Sequence, residues 1–537
     1  MKSQLIFGDN LDVLKSKIIS DESIDLIYLD PPFNSKKTYN IIYKSPSNSK
    51  SENTQVEAFS DTWSWGEDDE QVLSELGALE DKNIYNILHS FRSFMGESDM
   101  MAYLTNMAIR IYFLKKKLKD SGSIFLHCDT TASHYLKIIL DNIFGNQNFI
   151  NEIVWKRTTA HSDGKKFGRI HDIILYYTKN NKKNKWNKTY KPYDPKYVED
   201  FYKYEDKNGK YMADNATASG LEGGGYEYEW KGHTRIWRYP LTKMKALDKE
   251  NKIHYTSTGM ARVKRYLDSA KGVPDQDIFD DILAIGSRSK ERLGYPTQKP
   301  LKLLEKIILS STNEGDVVLD PFCGCGTTII AAESLKRNWV GIDITNLAIG
   351  LVERRLRNSF KKVNFKSNGI PKSLSQAFKL RDLSEKNPKL YWEFQYWANN
   401  LIPGVINNST RGSDGGVDGT FWIVADKKKN QFIFDKGIVS IKSGANISVA
   451  MVDSLFGSMK KNKAKCGLLV TLEKPKSTMI KAAAQMGVNI YFGKKYPKVE
   501  CISVEELLKG VRPKTPISVH FETPDATQIS NQASLFG

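Results

Sequence analysis

The sequence predicts an α/β protein built from more than one domain, and three observations predict it. Residues 1–155 alternate short apolar runs with amphipathic stretches, the same rhythm returns at 291–360, and a separate α/β-type unit follows at 389–512. Strands alternating with helices favour a parallel sheet covered by helices. A chain of 537 residues is also longer than one hydrophobic core usually serves.

In the first segment Gln4–Phe7 and Ile24–Leu29 read as short buried strands, and Ile124–His127 as a third. Ala102–Lys119 has helical apolar spacing and a basic last turn. Tyr39–Glu70, rich in Ser, Asn, Lys and acids, reads as a long loop, a feature usually kept for function or motion. Residues 156–290 mix Lys and Arg with Trp, Tyr and Gly and show no βα rhythm; Gly223-Gly224-Gly225 and Gly232 interrupt regular elements. The rhythm resumes with a helix over Leu303–Ser311, a strand over Asp316–Leu319, a helix over Thr327–Leu335, a strand over Trp339–Ile342 and a helix over Asn346–Asn358. Residues 361–388 are polar, contain Pro371 and Pro388, and read as a linker; residues 513–537 read as a flexible tail.

Composition narrows the function classes. Hydrophobic residues make up 40%, enough for packed cores. Lys and Arg number 79 against 62 Asp and Glu, a net +17 that suits a polyanionic partner. The five cysteines show no disulfide or zinc spacing, so a reducing cytoplasm is expected. The opening MKSQLIFGDN has no apolar signal core, and no run is long enough to span a bilayer.

Two turns carry chemistry. Val317-Val318-Leu319-Asp320-Pro321-Phe322-Cys323-Gly324-Cys325-Gly326-Thr327-Thr328 reads as a strand, a glycine turn and a helix start. Glycine lets backbone pass close to a ligand, and an acid at the strand end can hold a cationic amine or a ribose. Those features suit the amino-acid part of S-adenosylmethionine better than a phosphate, which would favour the longer GxGxxG or a P-loop Lys. Asp343, at the end of the next strand, stands where an acid would bind ribose hydroxyls. The second turn is Asp30-Pro31-Pro32-Phe33, after the apolar run Leu26–Leu29. The lone pair of an aromatic amine is delocalised into its ring, so it is a poor nucleophile. A carboxylate and a backbone carbonyl accepting its two N–H bonds would orient it for attack. Proline supplies a carbonyl and stiffens the turn. Phe33 is placed to stack on a base flipped from the duplex.

Residues 1–360 resemble the β-class DNA amino-methyltransferases, a circularly permuted family in which the catalytic motif precedes the target-recognition region and the cofactor motif comes last. Here Asp30–Phe33 precedes the Asp320–Thr327 turn, with the basic aromatic insert between them. Phe7-Gly8-Asp9-Asn10, Tyr295-Pro296-Thr297-Gln298-Lys299-Pro300, Gly122–Asp129, His134–Lys137 and Asn151–Trp155 resemble further blocks of the family. The resemblance implies a Rossmann-like methyltransferase domain with an inserted target-recognition region, S-adenosylmethionine, and duplex DNA. It assigns catalysis to Asp30, Pro31, Pro32 and Phe33. The cofactor falls to Asp9, Thr297, Lys299, Asp320, Phe322, Gly324, Gly326 and Asp343. The family's DPP form favours adenine N6, with cytosine N4 left open. Residues 156–290 would read sequence, with Arg157, Arg235, Arg238 or Asn215 as candidates for base edges.

A second constellation lies further on. Gly412-Ser413-Asp414-Gly415-Gly416-Val417-Asp418-Gly419 precedes Ile438-Val439-Ser440-Ile441-Lys442. An Asp and an x-x-Lys on neighbouring strands can meet at a sheet edge, where Asp binds a divalent metal and Lys orients the attacking water. This stretch resembles the Mrr-like branch of the PD-(D/E)XK nucleases, an α/β restriction-endonuclease-like domain. The resemblance implies Mg2+ held by Asp418, with Lys442 and a helical Glu393 beside it. The family has Glu or Gln where Ser440 stands, which leaves an active nuclease and a DNA-binding domain both open. The combination suggests a single-chain restriction–modification enzyme; the alternative is an orphan methyltransferase. The tail Gln532-Ala533-Ser534-Leu535-Phe536-Gly537 resembles a peptide that docks into the bacterial sliding clamp, through Gln532, Leu535 and Phe536. A homodimer is also compatible with the sequence.

Overall fold

The computed structural model describes residues 2–518 apart from 33–36, 44–53, 62, 161–164, 219–223, 287, 294, 296, 387–391, 409–415 and 429–430. The chain divides into two compact units, residues 1–187 with 277–537, and residues 188–276.

The first unit is organised by a nine-stranded sheet. Its spatial order is Ile278–Phe279, Phe149–Lys156, His171–Thr178, Leu118–Cys128, Ile24–Leu29, Val317–Asp320, Asn338–Asp343, Gln4–Phe7 and Lys366–Asn368. All neighbours run parallel except His171–Thr178, which is antiparallel to both of its partners. Helices cover both faces of a parallel sheet, so its strands are apolar throughout. Ile24–Leu29 is buried at all six positions and Val317–Asp320 at all four.

These two strands are central neighbours, with Leu26 opposite Val318 and Ile27 opposite Leu319. The only acid inside the first, Asp25, is buried and accepts from Lys119 and Lys185 and from the Val317 N–H at 3.0 Å. Burial alone would push its carboxyl up; those three donors hold it below the ordinary value. The joint between the two distant halves of the chain is thus polar at one end and apolar along its length.

Most expected elements lie within two or three residues of their observed ends: the helix expected at Ala102–Lys119 is Asp99–Lys117, and that at Asn346–Asn358 is Asn346–Ser359. Three expectations change. Tyr39–Glu70 is not one loop, because Lys37–Tyr43 pairs antiparallel with Thr54–Asp61 and the helix Glu67–Gly77 begins within it. Reading the stretch by composition passed over the alternation of Tyr39, Ile41 and Tyr43. Residues 361–388 are not a bare linker: Lys366–Asn368 adds the ninth strand beside Gln4–Phe7, and Leu374–Lys386 is a helix that buries Ala377 and Leu380. The segment interrupting the sheet is 188–276 rather than 156–290, because Phe149–Lys156, His171–Thr178 and Ile278–Phe279 are strands of the large sheet.

The C-terminal part of this unit has its own five-stranded sheet, in the order Ile406–Asn407, Gly419–Lys428, Gln431–Lys442, Cys466–Thr471 and Val499–Ser503. Gln431–Lys442 is antiparallel to Gly419–Lys428 and parallel to Cys466–Thr471. Phe394, Trp397, Phe421, Val439 and Leu468 lie in one of its cores. Residues 513–518 belong to this fold, with the Ser518 N–H donating to the Trp422 carbonyl at 2.8 Å. The clamp-like Gln532, Leu535 and Phe536 lie outside the described residues.

The second unit, 188–276, is antiparallel. Ile253–Tyr255, Ala261–Tyr266, Gly209–Asn215 and Tyr204–Asp206 form one sheet, and Tyr226–Trp230 with His233–Trp237 a hairpin. A small core of Trp230, Trp237, Met244, Ile253 and Val263 supports it. No helix among the described residues is long and apolar enough to cross a membrane.

Candidate active site

Strand pairing brings the two turns together. Asp30 follows the last residue of Ile24–Leu29 and Asp320 ends Val317–Asp320, so both acids stand at the same end of adjacent parallel strands. Asp343 ends the next strand, and Phe7, before Asp9, lies opposite it. Ligands of open α/β sheets bind at the carboxyl ends of strands, where connections diverge to opposite sides.

Lys299 reaches this edge. Its Nζ donates to both oxygens of Asp30, at 2.8 and 2.6 Å, and to the Thr297 carbonyl at 3.3 Å. Lys299 is buried and Asp30 nearly so. Thr297 has a φ of +59°. Non-glycine residues rarely adopt that region, and here it turns the carbonyl toward the ammonium. Pro31 is buried and Pro32 half-buried; Phe33 lies outside the described residues.

The cofactor-like turn is closely packed. Gly324 has a φ of +47°, and a Cβ there would stand 3.2 Å from the Tyr295 ring. Gly326 has a φ of +76°, and a Cβ there would stand 2.7 Å from Val352. Both positions therefore require glycine. Asp320 accepts from the Phe322 N–H at 3.0 Å. Burial pushes its carboxyl up to about 7, with Asp30 and Asp343 adding to the rise against the Thr328 and Phe322 donors. Asp343 accepts from the Gly324 N–H at 2.9 Å and from the Thr345 N–H and hydroxyl, each at 3.0 Å. Burial raises it too. Asp9 caps the helix Asn10–Lys15 through the Leu11 N–H and pairs with Arg110 at 3.4 Å. Arg110 also donates to Asn10, whose amide donates to the Pro321 carbonyl at 2.8 Å.

Two buried acids whose ionised forms are disfavoured form an environment that a cationic ligand would relieve. With the glycine turn between them, they fit S-adenosylmethionine. Asp9, Asp320, Phe322, Gly324, Gly326 and Asp343 therefore remain together around one edge. Lys299 is committed to Asp30, with Thr297 supporting it. Arg110 and Asn10 were not singled out in the sequence; a buried Arg on an apolar helix is the signal that could have found the pair.

Asp418 and Lys442 stand at the same end of the second sheet. Asp418 stands before Gly419–Lys428 and accepts from the Ile441 N–H at 2.6 Å. A Cβ at Gly416 would be 3.9 Å from Lys442 Nζ, so the lysine lies over the Gly416–Asp418 turn. Ser440 is buried on the same face of the strand as Lys442. Glu393 departs from expectation. It is buried, and its Oε2 accepts from the Asn346 N–H at 2.6 Å and the Asn346 side-chain amide at 3.1 Å. It thereby serves the first turn of the helix Asn346–Ser359 instead of the Asp418–Lys442 edge. Burial pushes it up to about 8. Asn399, on the same helix as Glu393, donates to the Asp418 carbonyl at 2.8 Å. Asp414 lies outside the described residues, and among the described residues no three His, Cys, Asp or Glu side chains form a metal cluster. Among the described residues Asp418 is the acid that would hold Mg2+ at this edge, with one of its oxygens already accepting from the Ile441 N–H.

The chain is 33% identical over 259 residues to the type II methyltransferase M.EcaI of Enterobacter cloacae, covering 47% of this chain and 57% of that one. It is 28% identical over 348 residues to the Mod subunit of the type III restriction–modification enzyme StyLTI of Salmonella typhimurium, covering 61% and 49%. The chain thus spans about half the length of these relatives. Among solved structures, the M1.HpyAVI–SAM complex matches 66% of this chain and 98% of its own, at 17% identity and a TM-score of 0.32. Residues 402–495 match a family described as restriction endonuclease. Residues 24–354 match the family described as DNA methylase, and over that span, more than half of its length, the chain belongs to the DNA methylase family.

Proposed function

We propose that this protein transfers a methyl group from S-adenosylmethionine to the exocyclic N6 of adenine in duplex DNA. The observation that carries the reading is the convergence of Asp30, Asp320 and Asp343 at one edge of the sheet. When bound, S-adenosylmethionine supplies the activated methyl group. Asp320 would hold its cationic amino group and Asp343 its ribose hydroxyls. Glycines at 324 and 326 let the turn take its left-handed backbone angles and pack against Tyr295 and Val352, which holds the turn between the two acids. Asp30 and the carbonyl of Pro31 accept the two N–H bonds of the target amine. This would draw its lone pair out of conjugation and favour the positive charge on nitrogen as the N–C bond forms in exchange for the methyl–sulfur bond, after which the nitrogen would give up one proton to solvent. Phe33 stacks on the extruded base. Cytosine N4 presents the same amine geometry, and the DPP form of the turn favours adenine.

The Asp418–Lys442 edge supports a second activity, Mg2+-dependent cutting of DNA, so that one chain would both modify and restrict. Lysines and arginines of the inserted unit would hold the phosphates of the duplex. The test is incubation of the purified chain with unmethylated plasmid and Mg2+, with and without S-adenosylmethionine, reading N6-methyladenine, N4-methylcytosine and strand breaks. N6-methyladenine together with breaks supports the whole reading. N4-methylcytosine overturns the base assignment. Methylation without breaks confines the activity to the methyltransferase.

A further inference from the structure

Behind the Asp30 turn lies a chain of buried polar groups that neither the cofactor nor the target amine accounts for. Tyr28, on the strand Ile24–Leu29 two residues before Asp30, is fully buried, and its hydroxyl lies 2.8 Å from His127 Nδ1. His127, fully buried on the adjacent strand, places Nε2 3.2 Å from Asp172 Oδ2. Asp172 is buried at the start of the third strand, and its other oxygen pairs with the Arg157 guanidinium at 3.2 Å. Trp155 closes the His127 ring edge-on, with centroids 5.5 Å apart, and is pinned by its own N–H to the Ile282 carbonyl. The row therefore runs across the sheet from beneath the Asp30 turn to a half-exposed arginine.

The protonation states around this row are mutually consistent. Burial pushes the Tyr28 phenol far up, so it keeps its proton and donates. Burial, with Lys299 nearby, pushes His127 down, so the ring is neutral. A neutral ring that accepts at Nδ1 must carry its proton on Nε2 and donate it to Asp172. Asp172 stays ionised, held below its ordinary value by His127 and Arg157 against the cost of burial. Both ring nitrogens of His127 are then matched, with the Tyr28 hydroxyl donating to one and Asp172 accepting from the other, and no arrangement with the other tautomer satisfies both neighbours. Buried polar side chains are costly unless they are hydrogen-bonded, and a satisfied buried network rigidifies the strands it joins. What they fix here is the end of the strand from which Asp30 projects.

Resting on the methyltransferase reading above, we propose that Tyr28, His127 and Asp172 are positioning residues for catalysis. They hold the Asp30–Pro31–Pro32 turn at the height where its acceptors meet the target amine. They touch neither substrate nor cofactor, and act by denying the strand end other positions. Misplacing a reacting group by about an ångström costs roughly 100-fold in rate.

The test uses the full chain as wild type, Tyr28→Phe and Asp172→Asn. It compares the single-turnover rate of methyl transfer to DNA, the S-adenosylmethionine Kd and the thermal midpoint, and adds nitrogen-15 NMR of the histidine rings. Wild type should show one histidine locked as the Nε2–H tautomer, and Asp172→Asn should unlock it. Both variants should lose roughly 10- to 100-fold in rate while the Kd stays within about threefold. Rates within about twofold of wild type in folded variants, or an Nδ1–H tautomer at His127, overturn the proposal. If Tyr28→Phe fails to fold, Asp172→Asn and the tautomer decide the matter alone. A wild type that binds cofactor but methylates no DNA base refutes the methyltransferase reading instead, and the NMR result still tests the locked ring.

Discussion

Lys299 Nζ bridges both carboxylate oxygens of Asp30, at 2.8 and 2.6 Å, across 269 positions of sequence. The lysine belongs to the block before the strand Val317–Asp320 and the aspartate to the turn after Ile24–Leu29, so the ion pair ties two distant parts of the chain together at one edge of the sheet. With the pair buried, the two charges are screened little by solvent. Losing one would leave the other uncompensated.

Lys299→Met should therefore act through Asp30. The rate of methyl transfer should fall roughly 10- to 100-fold, with the cofactor Kd within about threefold. Single-turnover kinetics and titration calorimetry check this. A loss confined to cofactor affinity would return Lys299 to the cofactor role that its motif suggests.

Asp30→Ala should abolish methylation, by more than about 1000-fold, while DNA affinity stays within a few-fold. Methyl incorporation and a gel-shift titration separate the two effects. Retained methylation refutes the assignment of Asp30.

Cofactor affinity should depend on pH through Asp320. Its carboxyl stands at about 7 in the free protein, and a cationic amino group prefers the ionised form. Below about pH 7 a proton must leave on binding, so the Kd should weaken by at most about tenfold per pH unit as pH falls, and level off above pH 7. Calorimetry between pH 5.5 and 8.5, with Asp320→Asn as the flat control, measures it.

Glu393 should behave as a buried helix support. Glu393→Ala leaves the buried Asn346 N–H without its acceptor and should cost about 1–3 kcal/mol. Glu393→Gln keeps the acceptor. Because the folded protein holds this proton up to about pH 8, and the unfolded chain releases it near the ordinary 4.5, the native state binds more protons across that window. The stability contributed by Glu393 is therefore full below about 4.5 and lost as pH rises toward 8, and Glu393→Gln should remove that slope. Thermal melts from pH 5 to 8 check the sign, and cutting, if present, should survive Glu393→Gln.

Lys442→Ala should eliminate Mg2+-dependent strand breaks and leave methylation within about twofold of wild type. Plasmid nicking and methyl incorporation on one preparation give both readings.

Much of this was legible along the chain. Apolar runs at 24–29 and 317–320, the glycine turn at 324–326 and the rigid Pro31-Pro32 depend on neighbours a few positions away, so residue types alone carry them. Glycine at 324 and 326 follows from backbone angles that other residues resist. That Asp418 and Lys442 stand at the same end of one sheet was also foreseeable, because adjacent antiparallel strands bring their ends together.

Other features depend on which distant segments become neighbours. Nothing local reveals that Lys299 seeks Asp30, that Glu393 turns to Asn346, or that Tyr28, His127 and Asp172 line up across three strands. A charged or polar side chain can pair with many partners in an open chain. Burial makes an unpaired one costly, so only the packed sheet selects the partner. The ninth strand at 366–368 was hidden for a related reason: its hydrogen bonds join backbone to backbone, and Lys366-Ser367-Asn368 leaves no apolar period to betray it. The hairpin of 37–43 with 54–61 does carry a period of two at Tyr39, Ile41 and Tyr43, which the polar residues around it outweighed in a reading by composition.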